Sequence, residues 1–258
     1  MDPQQRLLLE VCFHQVVRGL DTRSRNSAPE SAVYVGIQQM EYGNLARPYL
    51  HTIGPYSATG GSFSVAAGRL SFVYGFKGPA VSIDTACSSA LVATHHGMAQ
   101  LRSLPQWAVL AAGINLMLSE ATTAAAQSAG MLTQDGRCKT LDAGADGYAR
   151  AEACTALMLA DGADLSNHIE AAYLQATFIN QDGRSSSLTA PNGPSQQAVI
   201  RGTLQAASLQ PRDIVALEMH GTGPSPSLAF NLLQLRAVSK EAGLRICCHA
   251  PACGMLSA

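Results

Sequence analysis

Two kinds of hydrophobic pattern alternate along the chain. Short, nearly continuous apolar runs predict buried strands at residues 31–37, 78–84, 107–115, 153–161, 169–180 and 213–220. Longer segments with apolar residues every three or four positions predict helices at residues 3–19, 58–73, 88–103, 119–129, 194–208 and 228–242. Alternation of this kind predicts an α/β fold with buried, largely parallel sheets.

A polar stretch, DGADLSNH at residues 161–168, predicts a boundary within the chain. We therefore expect an N-terminal part at residues 1–166 and a shorter C-terminal part at residues 167–258. A length of 258 residues is enough for one large domain or two modest ones, each with its own core.

Composition narrows the possible partners. Hydrophobic residues make up 47% and charged residues 14%, which is typical of a globular protein. The net charge is -1 and no basic run is present, so we expect neither nucleic acid nor an anionic membrane as a partner. The most apolar long segment, WAVLAAGINLML, is too short to span a bilayer, and the first residues do not resemble a secretory signal. The seven scattered cysteines contain no C-x-x-C pair, which favours a reducing, cytoplasmic setting.

The stretch VSIDTACSSALV at residues 81–92 places a thiol between a predicted strand and a predicted helix. Ser88 or Ser89 can cap that helix, so Cys87 falls at its N-terminus. Unpaired N–H groups and the helix dipole stabilise a thiolate there and can help to hold an oxyanion. Cys87 is therefore a candidate nucleophile, and the alternative is a small cysteine buried in the core.

Histidines are the natural helpers of such a nucleophile. His95 and His96 lie about two helical turns from Cys87, so we expect them to be packed or solvated rather than to reach it. His220 ends the predicted strand 213–220 and precedes the turn GTG, which would present its imidazole at the carboxyl edge of a sheet. The GTG lacks the further glycines and the lysine of a phosphate-binding loop.

Four ordered motifs carry a resemblance to a known family. DTACSSALVA at residues 84–93 resembles the active-site signature of β-ketoacyl synthases, and EMHGTG at 218–223 resembles their first histidine motif. The resemblance is closest to the polyketide synthase branch in SAGMLTQDGRCKTLDAGADGYARAEA (128–153) and NQDGRSSSLTAPNGPSQQAVI (180–200). It extends from Met1 to about Gly223.

The resemblance implies a thiolase-like fold with layers in the order αβαβα, an N-terminal ketosynthase half and a partial C-terminal half. It implies a homodimer formed through the sheet of the cysteine-bearing half. It also implies that Cys87 accepts an acyl chain from acyl carrier protein and that His220 stabilises the enolate formed when a malonyl extender loses CO₂. No metal or directly bound cofactor is implied, since phosphopantetheine arrives on the carrier protein. Segment 128–153 would line the acyl pocket, with Glu152 as a buried structural carboxylate.

The sequence also departs from the family pattern near both of its ends, and these departures predict which parts of a ketosynthase are incomplete here. The segment that precedes MDPQQR in the family is not found here, and the likeness fades after Gly223, which predicts a partial ketosynthase. His249, in RICCHAPACGM, is either a degenerate second histidine or part of an unrelated tail. Leu244 stands where the family has a lysine, which favours the tail, and the CCH…C spacing fits no common zinc site. We expect acyl transfer to Cys87 to survive in part and condensation to be weak or absent. The alternatives are a homologue that only transfers or binds acyl chains or dimerises with a complete partner, and a thiol hydrolase.

Overall fold

The computed structural model describes residues 1–19, 30–38, 41–46, 54–104, 107–140, 142–161, 172–187, 192–218, 220–221 and 245–247. The chain forms two compact units, one of Met1–Thr123 with Ala151–Tyr173 and one of Ala124–Arg150 with Leu174–Ala258. Segment 124–150 therefore groups with the later part of the chain, although it precedes the last strand of the first unit. The two halves expected on either side of residue 166 stay a prediction.

The first unit alternates helices and strands as the hydrophobic pattern predicts. Its elements are α1 (Pro3–Gly19), β1 (Ala32–Ile37), α2 (Glu41–Ala46), α3 (Ser57–Gly61), α4 (Phe63–Tyr74), β2 (Ala80–Ile83), α5 (Ser89–Ser103), β3 (Ala108–Asn115), the first residues of α6 (Glu120–Ser128), which continues into the second unit, and β4 (Ala153–Ala160). The second unit contains α7 (Gly193–Ala207), a 3₁₀ turn (Pro211–Asp213), β5 (Ala216–Glu218) and β6 (Arg245–Cys247).

The sheet of the first unit has the order β2-β1-β3-β4. Strands β2, β1 and β3 are parallel, as predicted, whereas β4 runs antiparallel to β3 at the edge. All six residues of β1 are buried because helices cover both faces of the sheet. Leu8 of α1 and Leu70 of α4 pack on one face, and Ala93 of α5 packs on the other.

Three predicted elements need correction. The helix predicted at residues 58–73 is two helices, because Ser62 adopts an extended backbone (φ -81°, ψ 131°) between α3 and α4. Residues 172–180 form no strand, since no other described segment offers them a hydrogen-bonding ladder, and Tyr173 is 74% exposed. The strand predicted at 213–220 shortens to β5, which pairs in parallel with β6, an element the pattern did not predict.

Some predictions fall outside the described residues, including the helix at 228–242 and the role of His249. Within the described ranges, no helix combines the length and the apolar character that crossing a membrane requires.

Candidate active site

Cys87 lies in a tight turn between β2 and α5. Its predecessor Ala86 has φ 57°, a left-handed conformation that costs a residue with a Cβ roughly 1–2 kcal/mol. Side chains hold this turn: the Ala86 N–H donates to Asp84 Oδ1 at 3.0 Å, and the Thr85 N–H donates to Ser89 Oγ at 2.8 Å. The Ser89 hydroxyl in turn donates to the Ala86 carbonyl at 2.6 Å. The turn therefore presents Cys87 directly before the first turn of α5.

The serine that follows Cys87 does not cap the helix as predicted. Ser88 stands at the N-cap position, but its hydroxyl donates to the Thr85 carbonyl at 2.8 Å and makes no bond to a helix N–H. Its backbone is already in the helical region (φ -88°, ψ -1°), which turns the side chain back toward the loop. The Ser88 side chain thus caps no first-turn amide of α5, and the Ser89 N–H donates instead to the Ala86 carbonyl at 3.2 Å.

The other described cysteines contrast with Cys87. Cys87 is exposed, whereas Cys12 and Cys138 are buried and Cys154 is half-buried, and all four are free thiols. Burial raises the pKa of Cys12 to about 12 and that of Cys154 to about 11. Those two groups therefore stay protonated thiols at neutral pH, and of Cys12, Cys87, Cys138 and Cys154 only Cys87 is exposed.

Gly36 of β1 supports the nucleophile turn, and it was not among the residues predicted from the sequence. A Cβ at Gly36 would lie 2.5 Å from both the Ala90 nitrogen and the Ser89 carbonyl carbon. Only a residue without a side chain lets the start of α5 approach the strand so closely. A glycine inside a strongly apolar strand was the available signal.

His95 and His96 are engaged in packing on α5. The His96 ring stacks on Tyr34, with centroids 6.0 Å apart and planes 19° apart, and the His95 ring meets it edge-on. Burial lowers the pKa of His95, with smaller effects from His96 and Arg102. This agrees with the packing role expected from their helical spacing.

His220 belongs to the second unit and lies two residues beyond the end of β5. Burial lowers the pKa of its imidazole below the ordinary value of 6.5, so the ring is neutral at pH 7 and offers one N–H donor and one acceptor. Gly221 follows with φ 63°, which explains the glycine of the predicted turn. Its carbonyl accepts a hydrogen bond from Thr140 Oγ1 at 2.9 Å.

The prediction that Glu152 is a buried carboxylate is wrong. Glu152 is exposed, and its Oε1 accepts a hydrogen bond from the Met117 N–H at 2.7 Å. It precedes β4 directly, at the edge of the sheet, where solvent reaches the side chain. Glu41, at the start of α2, is a buried carboxylate of this unit and is 2% exposed.

Glu41 receives three hydrogen bonds around the start of α6. The N–H groups of Leu118 and Ser119 donate to its Oε2 at 2.5 and 2.6 Å, and the Thr122 hydroxyl donates to Oε1. A carboxylate in this place stabilises unpaired amides and the positive end of the helix dipole. Its partners lie far away in sequence, so no local pattern could have revealed them.

No group of three or more His, Cys, Asp or Glu residues suited to a metal ion occurs in the parts of the chain that the structure describes. Cys87 belongs to the first unit and His220 to the second.

Comparison with known proteins identifies matching families for both parts of the chain. The family model described as the β-ketoacyl synthase N-terminal domain matches residues 1–164. The model of the β-ketoacyl synthase C-terminal domain matches residues 171–227.

Curated relatives are large polyketide synthases. The chain is 41% identical over 230 residues to a phenolphthiocerol/phthiocerol polyketide synthase of Mycobacterium tuberculosis, which covers 86% of this chain and 10% of that protein. It is 39% identical over 226 residues to erythronolide synthase EryA2 of Saccharopolyspora erythraea, covering 86% of this chain and 6% of that protein. The chain therefore spans a tenth or less of these two relatives.

Solved ketosynthases share the fold. The ketosynthase from module 6 of the bacillaene synthase of Bacillus subtilis is 33% identical with a TM-score of 0.82, covering 96% of this chain and 43% of that one. An oxazolomycin ketosynthase domain of Streptomyces albus is 28% identical with a TM-score of 0.86, covering 98% of this chain and 44% of that one. The chain has the thiolase-like fold of these structures and spans less than half of their length.

Proposed function

This chain belongs to the β-ketoacyl synthase family, and we propose that it carries acyl-transfer and condensation chemistry of a polyketide synthase. The Cys87 thiolate attacks the thioester of an acyl chain delivered by acyl carrier protein, so that a new S–C bond forms and the carrier thiol leaves. A malonyl extender then loses CO₂, and the resulting enolate carbon attacks the Cys87 thioester. The product is a β-ketoacyl thioester on the carrier protein, and the Cys87 thiolate is released.

The observation that carries this proposal is the geometry around Cys87. The thiol is exposed, follows the left-handed Ala86 and stands at the N-terminus of the fifteen-residue helix α5. Amides at a helix N-terminus stabilise negative charge that develops on a thioester oxygen.

His220 fits the role of stabilising the enolate of the extender, because burial keeps its imidazole neutral. A neutral imidazole donates an N–H bond to the extender's thioester carbonyl and strengthens that bond as the enolate develops. A charged imidazolium would also donate, but burial disfavours the charged form.

The partners we propose are acyl carrier protein, which supplies phosphopantetheine, and a second copy of this chain. Support for the homodimer comes from β2, which is an edge strand with Ala80 and Val81 exposed. On the adjacent α4, Phe72 is 88% exposed. An open strand edge beside exposed apolar side chains is a surface that a second sheet can cover.

Sedimentation tests the homodimer. We expect the wild-type chain to sediment as a dimer and Phe72→Asp to shift it toward monomer. A wild-type monomer at micromolar concentration would contradict the proposed homodimer.

The free thiols are consistent with a reducing compartment, and we propose a cytoplasmic location. Cell fractionation followed by detection of the chain tests this directly, and recovery outside the cytoplasmic fraction would contradict it.

Acyl labelling tests the main proposal. The chain is incubated with a radiolabelled acyl-pantetheine thioester, and the adduct is mapped by peptide mass. We expect labelling at Cys87 that disappears in Cys87→Ala and persists in the control Cys154→Ser. A parallel assay follows CO₂ release from malonyl-carrier protein in wild type and His220→Gln. Labelling at another residue, or no labelling in a folded wild-type chain, would refute the role of Cys87. Labelling of Cys87 without CO₂ release would restrict the chain to acyl transfer.

A further inference from the structure

Residues 131–140 and 142–148 of the second unit belong to a loop whose two ends meet, which we call the bracket loop. Its two ends pair through the backbone, since the Tyr148 N–H donates to the Met131 carbonyl at 3.0 Å and the Thr133 N–H donates to the Tyr148 carbonyl at 3.2 Å. A Cβ at Gly147 would lie 2.6 Å from the Leu132 carbonyl carbon, so the ends meet in a contact that only glycine permits. The bracket loop therefore has a closed base.

A charged cluster ties the middle of the bracket loop to that base. Lys139 Nζ lies 3.2 Å from an Asp135 carboxylate oxygen and 2.9 Å from an Asp146 oxygen. The Thr133 hydroxyl is 2.7 Å from Asp135 Oδ1 and 2.9 Å from Asp146 Oδ1. These hydrogen bonds lower the pKa of both carboxyl groups, so the pair stays ionised around the lysine. Lys139 is thereby held, and with it the residue that follows.

That next residue, Thr140, is the point where the bracket loop contacts the histidine turn. Its hydroxyl donates to the Gly221 carbonyl at 2.9 Å. A Cβ at Gly221 would meet Thr140 Cγ2 at 2.7 Å and Oγ1 at 2.9 Å, so the methyl and the hydroxyl both lie against the turn. The peptide unit of Gly221 is joined directly to His220, and its left-handed φ sets the direction in which the chain leaves the histidine.

We propose that Thr140 is a positioning residue for His220: its hydroxyl, held by the bracket loop, fixes the Gly221 turn through the hydrogen bond to the Gly221 carbonyl, and so fixes the orientation of the imidazole. The effect of Thr140 on catalysis rests on the proposed function, whereas the positioning of His220 involves only residues of the second unit. The Lys139 cluster acts one residue further away, as the support of Thr140.

Two variants of similar size test the hydroxyl and the methyl of Thr140 one at a time. Thr140→Val keeps the shape and removes the donor, whereas Thr140→Ser keeps the donor and removes the methyl. The first readout is NMR titration of the His220 ring in the full chain, with its signal assigned by its loss in His220→Gln. We expect the His220 pKa to rise toward its ordinary value in Thr140→Val, because a loosened turn exposes the ring, and to stay near the wild-type value in Thr140→Ser.

The second readout is CO₂ release from malonyl-carrier protein, compared with acyl labelling of Cys87. Loss of one hydrogen bond predicts a fall in decarboxylation of roughly 3- to 10-fold in Thr140→Val. Acyl labelling should stay unchanged and Thr140→Ser should restore the rate. If wild type releases no CO₂, the condensation part of the proposed function fails, while the NMR comparison still decides the positioning role.

A further variant pair covers the case in which Thr140→Val does not fold. Gly221→Ala should disturb the His220 signal strongly, and combining it with Thr140→Ala should reduce that disturbance, because the contact with Cγ2 and Oγ1 is removed. The proposal is overturned if Thr140→Val leaves the His220 titration unchanged, if Thr140→Ser alters it as much as valine does, or if the Gly221→Ala effect is the same in both backgrounds.

Discussion

Replacing Glu41 by alanine should destabilise the first unit more than any surface substitution near α6. The side chain is 2% exposed and receives hydrogen bonds from the Leu118 N–H, the Ser119 N–H and the Thr122 hydroxyl. Alanine removes the charged acceptor and leaves three donors around a small void.

The magnitude follows from those three bonds. Hydrogen bonds to a charged acceptor contribute about 1.5–3 kcal/mol each, and the half-buried position of the donors lets water replace part of that. We therefore expect Glu41→Ala to lower the free energy of unfolding by about 3–5 kcal/mol in total. For a chain of this size that corresponds to a fall in Tm of roughly 6–20 °C. Glu41→Gln should have an intermediate effect, because its amide oxygen can still accept while its NH₂ group faces other donors.

Glu120→Ala is the matched control. Glu120 lies in the first turn of α6, the helix whose start Glu41 contacts, but Glu120 is exposed. Its loss therefore removes a favourable dipole interaction of only about 0.3–1 kcal/mol. Urea unfolding gives the free energies, and hydrogen exchange at the Leu118 and Ser119 amides shows whether the loss is local. If Glu41→Ala costs no more than Glu120→Ala, or if those two amides keep their protection, the carboxylate does not organise the start of α6.

Two further substitutions test other parts of the structure. Gly36→Ala should destabilise the chain by about 1–3 kcal/mol and alter the alkylation rate of Cys87, because its Cβ would collide with backbone atoms of Ser89. The control is Gly68→Ala in α4, which has open space around it and should be neutral or stabilising. Equal urea midpoints for the two variants would contradict the close approach at Gly36. Because folding lowers the His220 pKa, the unfolded chain binds the proton more readily, so His220 contributes stability that is present above about pH 6.5 and lost as pH falls through the lower folded value. His220→Gln should make urea unfolding less pH-dependent between pH 7 and pH 5, and an unaltered pH dependence would contradict this linkage.

The hydrophobic pattern predicted most of the first unit because burial there follows sequence periodicity. Strands β1 and β3 are buried on both faces and read as continuous apolar runs, and the helical spacing of α1 and α5 matches the faces they pack on the sheet. The pattern failed at residues 172–180, because an apolar run becomes a strand only where another strand supplies its hydrogen bonds.

At the site, the sequence alone determined where the chemistry could lie, and tertiary structure decided what holds it in place. The order of strand, Cys87 and helix predicts an activated thiol, since a helix N-terminus is a local feature that neighbouring residues define. The close approach at Gly36, the buried Glu41 and the contact of Thr140 with Gly221 depend on residues brought together from distant parts of each unit. Such contacts have no periodicity and no fixed spacing along the chain, and they exist only once the unit has folded.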